Sequence, residues 1–367
     1  MNDHPISRRD FLKLSLLGAA ALGMRPWRHW TVEQFQTFPE SARLGRVLSR
    51  LDLKAKPSPD STTVSTLYDD AVVVWQREVM GEPFPMFPTN RRWIETPDGY
   101  LPAPLVQPVW NKPNTPLTEL PTNATGRGMW AEITVPYAQF YLDAANPASP
   151  LLKELTPDRY RLYYSQVYWV DDIQTNSLGM VLYRVREKHG SYGDVFWVPA
   201  EALRPITPED TAPIRPEVTD KYVLINLTRQ TLACFESGSE VYFCRISSGA
   251  KFDASGNVVD RWATPLGENH VINRKYISLH MGGGSAASGY ELLGVSWTSI
   301  FATGGVAIHS TYWHNNYGEP MSHGCVNVRP DDARFVYRWS LPQSPYDDGK
   351  IEVSGYENVT RVIVREE

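Results

Sequence analysis

Residues 309–327 begin His309-Ser310-Thr311 and end Ser322-His323-Gly324-Cys325-Val326-Asn327, with a connector of Trp, Tyr, Asn and Gly between them. A cysteine directly after a His-Gly pair, with a second histidine upstream, is the pattern of a thiol nucleophile served by a histidine base. A free thiol ionises near pH 8.5, so at neutral pH Cys325 needs a partner to take its proton. His309 stands 16 positions before Cys325 and ends the apolar run Val306-Ala307-Ile308, which places it at a strand end, a rigid support for a catalytic group. His323 is two residues from Cys325 and either shares a strand face with it or tunes it from a turn.

Gly324 suits a turn with unusual backbone angles, and the N–H groups of Gly324 and Cys325 are candidate donors to an oxyanion. Ser310 can orient the His309 ring through its carbonyl or its hydroxyl. Asn327 and Arg329 either receive a substrate carboxylate or simply hold the turn. Tyr290 and Trp313, with Met281 and Trp297, either line the cleft or belong to the core.

Working outward, Lys221 to Leu227, Thr231 to Phe235 and Val241 to Ile246 are apolar runs separated by short turns, a meander of three antiparallel strands. The last strand is expected at Val359 to Val364. One short helix is expected near Asp331 to Trp339, with Asp331 and Asp332 favourable to the dipole at its start and Ala333, Val336 and Tyr337 facing a sheet. The run Thr207-Pro208-Glu209-Asp210-Thr211-Ala212-Pro213-Ile214-Arg215-Pro216 reads as an extended linker.

Upstream lie two β-rich blocks, 40–109 and 129–206, which end alike. The first closes with Trp93-Ile94, Tyr100-Leu101-Pro102-Ala103 and Val106-Gln107-Pro108-Val109; the second with Trp197-Val198-Pro199-Ala200 and Leu203-Arg204-Pro205-Ile206. Such a weak internal repeat is what a duplicated domain leaves. The closing segments resemble bacterial SH3-like modules, small β-barrels common in exported cell-wall proteins. The resemblance implies wall-polymer binding or spacing from the membrane; loops packed against the catalytic domain are the other possibility.

The N-terminus, residues 1–30, reads as an export signal. Ser7-Arg8-Arg9-Asp10-Phe11-Leu12-Lys13 matches the twin-arginine signature, and the apolar run Leu14 to Met24 is too short to span a bilayer, which takes roughly 20 residues. The mature chain is therefore expected outside the cytoplasm, in the cell wall or periplasm, without a membrane span. The chain has 367 residues and a net charge of −5, room for two or three domains and no basic face for nucleic acid. Three cysteines occur; Cys234 and Cys244 flank a turn and are either bridged or buried as thiols, which leaves Cys325 as the odd one.

Taken together, His309-Ser310 and Ser322-His323-Gly324-Cys325-Val326-Asn327 resemble the active-site signature of the L,D-transpeptidases, the YkuD-type catalytic domain. Thr264-Pro265-Leu266-Gly267, Gly304-Gly305-Val306-Ala307-Ile308-His309 and Asp332-Ala333 resemble further parts of that family, over roughly residues 219 to 366. The resemblance implies a mainly β fold: a YkuD-like β-sandwich with a short helix, preceded by the two small barrels. It implies Cys325 as nucleophile, His309 as base, Ser310 as the orienting position, and His323 and Gly324 in the nucleophile turn.

The implied reaction is attack on a peptidoglycan stem tetrapeptide, release of D-alanine, and transfer of the acyl group to an amine of another stem, giving a 3→3 cross-link. It implies no metal and no cofactor. The sequence departs from the family at Gly282 to Gly289, an insertion where the family carries a loop over the donor site. Alternative readings are a cell-wall-binding protein whose catalytic domain is inactive or hydrolytic (an L,D-carboxypeptidase), a buried inert thiol, and zinc held by His309, His314, His323 and Cys325. The last lacks paired Cys-x-x-Cys or His-x-x-x-His spacing.

Overall fold

The computed structural model describes residues 36–124, 126–251, 257–283 and 290–366. The segment read as an export signal, and most of the Gly282 to Gly289 insertion, lie outside the described residues. Among the described residues no helix is long and apolar enough to cross a membrane.

Two β-rich segments come first. In one, strand Leu44–Val47 pairs antiparallel with Val106–Val109. In the other, Met129–Ile133 pairs antiparallel with Leu203–Ile206. In both, the first strand closes onto the last. The closing device is also the same: a strand ending in proline (Gly99–Pro102; Val195–Pro199), a single 3₁₀ turn (Ala103–Leu105; Ala200–Ala202), then the final strand. The repeat seen in sequence is thus a repeat of backbone.

The C-terminal domain contains β1 (Lys221–Asn226), β2 (Thr231–Glu236), β3 (Ser239–Arg245), β4 (Gly267–Val271), β5 (Arg274–Gly283), β6 (Tyr290–Ile300), β7 (Ala307–Ser310), β8 (Val326–Val328), α1 (Pro330–Trp339), β9 (Lys350–Glu352) and β10 (Arg361–Arg365). The expected meander is β1–β3. Two five-stranded sheets form, in orders β3-β2-β1-β10-β4 and β8-β7-β6-β5-β9. The mainly β sandwich with a short helix is the expected fold.

Helix α1 starts at Pro330, where a missing N–H costs nothing, and buries Ala333, Val336, Tyr337 and Trp339. Short helices at Pro150–Glu154 and Pro208–Thr211 were not expected. In the second, the run read as a linker folds into a capping box, with Thr207 and Asp210 satisfying each other's backbone N–H groups. Cys234 and Cys244 are both buried free thiols.

The main core draws Val223, Leu232 and Val362 from one sheet, Ile277, Trp297 and Ile308 from the other, and Val336 from the helix. It also takes Trp130, Val167, Trp169 and Ile206 from the second β-rich segment. Polar contacts continue that join. Ser278 and Ser296 donate their hydroxyls to the carbonyls of Val167 and Ser165, and Gln166 Nε2 donates to Leu293 O at 2.7 Å. Of the two readings of the upstream segments, spacing or packing, the contacts favour packing: Thr37–Glu367 is one compact unit.

Candidate active site

β7 and β8 run parallel, with Ile308 opposite Val326 and His309 opposite Asn327. Strand alternation sends Ile308 and Val326 into the main core and puts Ala307, His309 and Cys325 on the other face. Cys325 immediately precedes β8, packs against a small cluster of Tyr276, Ile300 and Ala307, and keeps partial exposure. From strand spacing and rise, the Cα atoms of His309 and Cys325 are on the order of 8 Å apart, a span that a cysteine and an imidazole can close.

His309 is buried, and its Nδ1 lies 2.8 Å from the Ser310 carbonyl oxygen. A carbonyl can only accept, so Nδ1 carries the proton and donates it, and Nε2 keeps a free lone pair. Of the two ways Ser310 can orient the ring, the carbonyl is the one used; its hydroxyl pairs with Ser296 Oγ at 2.7 Å instead. Burial pushes the His309 pKa down to about 4 and the Cys325 thiol up to about 11. The resting pair is therefore neutral: thiol and imidazole, not thiolate and imidazolium. Burial penalises both charges, so a standing thiolate of the kind a histidine partner can create is not the resting state.

The turn Ser322–Cys325 is built by backbone economy. Gly324 has φ 122°, a left-handed value that a side chain would strain. Ser322 Oγ accepts from Gly324 N–H at 3.1 Å and donates to Cys325 O at 2.5 Å. Thr264 Oγ1 accepts from Gly249 N–H at 2.8 Å and donates to Gly324 O at 2.9 Å. Two hydroxyls thus hold the turn from both sides. Of the expected oxyanion donor pair, the Gly324 N–H is bonded to Ser322 Oγ in this structure. His323 is exposed, edge-on to Trp262 at 4.3 Å and stacked on Tyr290 at 5.2 Å, and it forms part of an aromatic rim.

The expected substrate-binding residues separate. Tyr290 lies at the rim, half-buried. Trp313 tilts against the His309 ring at 5.8 Å. Asn327 is buried, and its carboxamide nitrogen is 2.9 Å from His314 Nε2. It holds the loop and is not placed to receive a substrate carboxylate. Arg329 caps the start of α1, with its guanidinium 5.6 Å from the Tyr317 ring, and roughly 13 Å of strand separates it from Cys325.

Of the loop 311–317, the sequence singled out Trp313 for the cleft and His314 only as a zinc ligand; its other residues carried no signal. His314 is buried; its Nδ1 accepts from Asn316 N–H at 3.2 Å, and burial pulls its pKa down to about 3. Trp262 and the turn-holding roles of Ser322 and Thr264 were also missed. A serine two places before a glycine is a local signal for such a turn; nothing local marks Trp262. Among the described residues no group of three His, Cys, Asp or Glu side chains could hold a metal ion.

Comparison with known proteins agrees with this domain. Residues 220–364 match the family model YkuD, the L,D-transpeptidase catalytic domain. That segment is a YkuD-type domain, and the chain carries it downstream of its other β-rich segments. No curated protein matches the chain.

Solved structures similar to it include a mutant of the Enterococcus faecium L,D-transpeptidase, at 22% identity over 40% of this chain and 50% of that one, with a TM-score of 0.29. An L,D-transpeptidase from Mycobacterium smegmatis aligns at 17% identity over 53% of this chain and 98% of that one, TM-score 0.31. One from Xylanimonas cellulosilytica aligns at 25% identity over 40% and 61%, TM-score 0.27. The chain spans half the length of the Enterococcus protein it matches.

Proposed function

We propose that the chain is a cysteine-dependent acyltransferase acting on peptidoglycan stem peptides outside the cytoplasm. The observation that carries this is the His309 tautomer: Nδ1–H is committed to Ser310 O, and a bare Nε2 sits on the same sheet face as Cys325. The reaction begins as Cys325 Sγ attacks the carbonyl between a diamino acid and the terminal D-alanine of a tetrapeptide. Because the resting pair is neutral, the thiol proton moves to His309 Nε2 as the S–C bond forms. The Cys325 N–H remains of the expected oxyanion donors. Collapse breaks the C–N bond, His309 returns the proton to the leaving amine, and D-alanine departs. An amine of a second stem then attacks the thioester, giving a 3→3 cross-link and restoring the thiol. Water in place of that amine gives the hydrolytic outcome.

In this reading residues 1–30 direct export by the twin-arginine route, 40–109 and 129–206 are SH3-like modules, and 219–366 is the catalytic domain. The shared strand–3₁₀ turn–strand closure supports the pairing of the modules. The test is acylation by a defined tetrapeptide or a carbapenem, followed by intact-protein mass. Cys325→Ala is expected to form no adduct. An adduct of unchanged yield on that variant would remove the nucleophile assignment.

A further inference from the structure

The loop joining β7 to the nucleophile turn carries many buried polar groups: Tyr312, His314, Asn315 and Asn316 are all nearly inaccessible. Buried backbone and amide groups need partners. Here the partners come from far upstream, in the first β-rich segment.

Arg46, itself 4% exposed, donates Nη2 to Tyr312 O at 2.7 Å. It is fixed behind by Asp70 at 2.7 Å and by Gln107 Oε1, which accepts from its Nε and Nη2. Asn90 Nδ2 donates to Asn316 Oδ1 at 2.8 Å, and Arg92 Nη2 to Asn315 O at 2.8 Å. Asn315 N–H and its side-chain amide donate to Pro104 O and Ala103 O. Two lines of contact then reach the base. In one, Tyr312 meets Trp313 edge-on at 5.0 Å, and Trp313 tilts on His309 at 5.8 Å. In the other, Asn316 N–H holds His314, which holds Asn327, the residue opposite His309 in the sheet.

We propose that Arg46 and Asn90 are positioning residues for the acyl-transfer site: the first β-rich segment clamps the 312–316 loop and thereby sets the His309 ring against Cys325. This rests on the reading of His309 as the base. It gives the segment a role in catalysis in cis, separate from any polymer it binds. A grip on the loop at both ends makes its geometry depend on the clamp. A displacement of about 1 Å at a catalytic group can cost on the order of a hundredfold in rate.

The test uses the full chain labelled with ¹⁵N-histidine, as wild type, Arg46→Lys, Asn90→Ala and, as control, Arg77→Ala. Arg77 is exposed, pairs with Glu95 in the same segment and belongs to none of the clamp contacts above. Ring ¹⁵N shifts against pH read the His309 tautomer and titration, and carbapenem adduct mass read against time gives the acylation rate. In Arg46→Lys and Asn90→Ala the His309 midpoint is expected to move upward by about one pH unit as the loop loosens and the ring gains solvent, and acylation to slow about tenfold to a hundredfold. Arg77→Ala is expected to show neither change. Asn90→Ala removes one amide and keeps the test open if Arg46→Lys does not fold.

An unchanged His309 titration and tautomer in both clamp variants overturns the proposal, whatever the rates do. If the wild type takes no adduct but the titration still moves, the positioning stands and the acyl-transfer reading fails.

Discussion

At the scale of single residues, the site pairs a reluctant acid with a reluctant base. His309 is held near pKa 4 and Cys325 near 11, both by burial. In the proposed reaction His309 acts in its neutral form, which it has above its own pKa. The acidic limb of the acylation rate is therefore expected near pH 4, well below the 6.5 of an unperturbed histidine. The same depression sets a stability trend. Between about pH 6.5 and pH 4 the unfolded chain binds more protons at His309 and His314 than the folded one, so stability falls as pH drops through that window. Stopped-flow acylation and thermal melts over pH 4 to 8 check both; an acylation limb at 6.5 would show a solvated, unperturbed ring. Cys325 and His309 stood out in the sequence as candidates because their neighbours form a recognisable pattern, and the fold puts both on one sheet face. For Asn327 the sequence left two roles open, because strand alternation fixes its face but not what covers that face; burial against His314 favours the structural one.

At the scale of elements, local pattern was legible and remote pairing was not. The β1–β3 meander declares itself through alternating runs and short turns, and α1 through two aspartates and apolar spacing. The parallel pairings β1–β10 and β7–β8 join distant segments, and no turn signal announces them. The Thr264-Pro265-Leu266-Gly267 motif was visible as a turn, but its reach to the nucleophile was not. Thr264 Oγ1 bridges Gly249 N–H and Gly324 O, so Thr264→Val leaves a buried donor and a buried acceptor unpaired. The expected loss is about 1–3 kcal/mol in urea unfolding, with slower acylation because the Gly324 turn is released. A variant of wild-type stability and rate would mean that the turn is held by glycine geometry and Ser322 alone.

At the scale of the whole molecule, the β-rich blocks and the C-terminal domain read in sequence as beads on linkers, and Thr37–Glu367 forms one compact unit. Composition could suggest barrels, but not that Trp130 and Trp169 would enter the catalytic core or that Arg46 would bond a carbonyl 266 residues away. The joint of all three parts is Asp70. Its carboxylate receives Arg46 from its own segment at 2.7 Å and Arg161 from the second at 2.5 Å, and Arg46 in turn holds the 312–316 loop. Asp70 and Arg46 are both nearly inaccessible, so the pair is shielded from solvent screening. Removing one charge from such a buried network leaves the other uncompensated, which costs about 3–5 kcal/mol. Asp70→Asn is therefore expected to lower stability by that order. The loss should fall on the single unfolding transition of the whole body, not on one early-melting segment. Differential scanning calorimetry of the full chain reads this directly: one transition that moves down as a unit supports a shared body, whereas a split in which only an N-terminal part melts early would restore the independent modules that the sequence suggested.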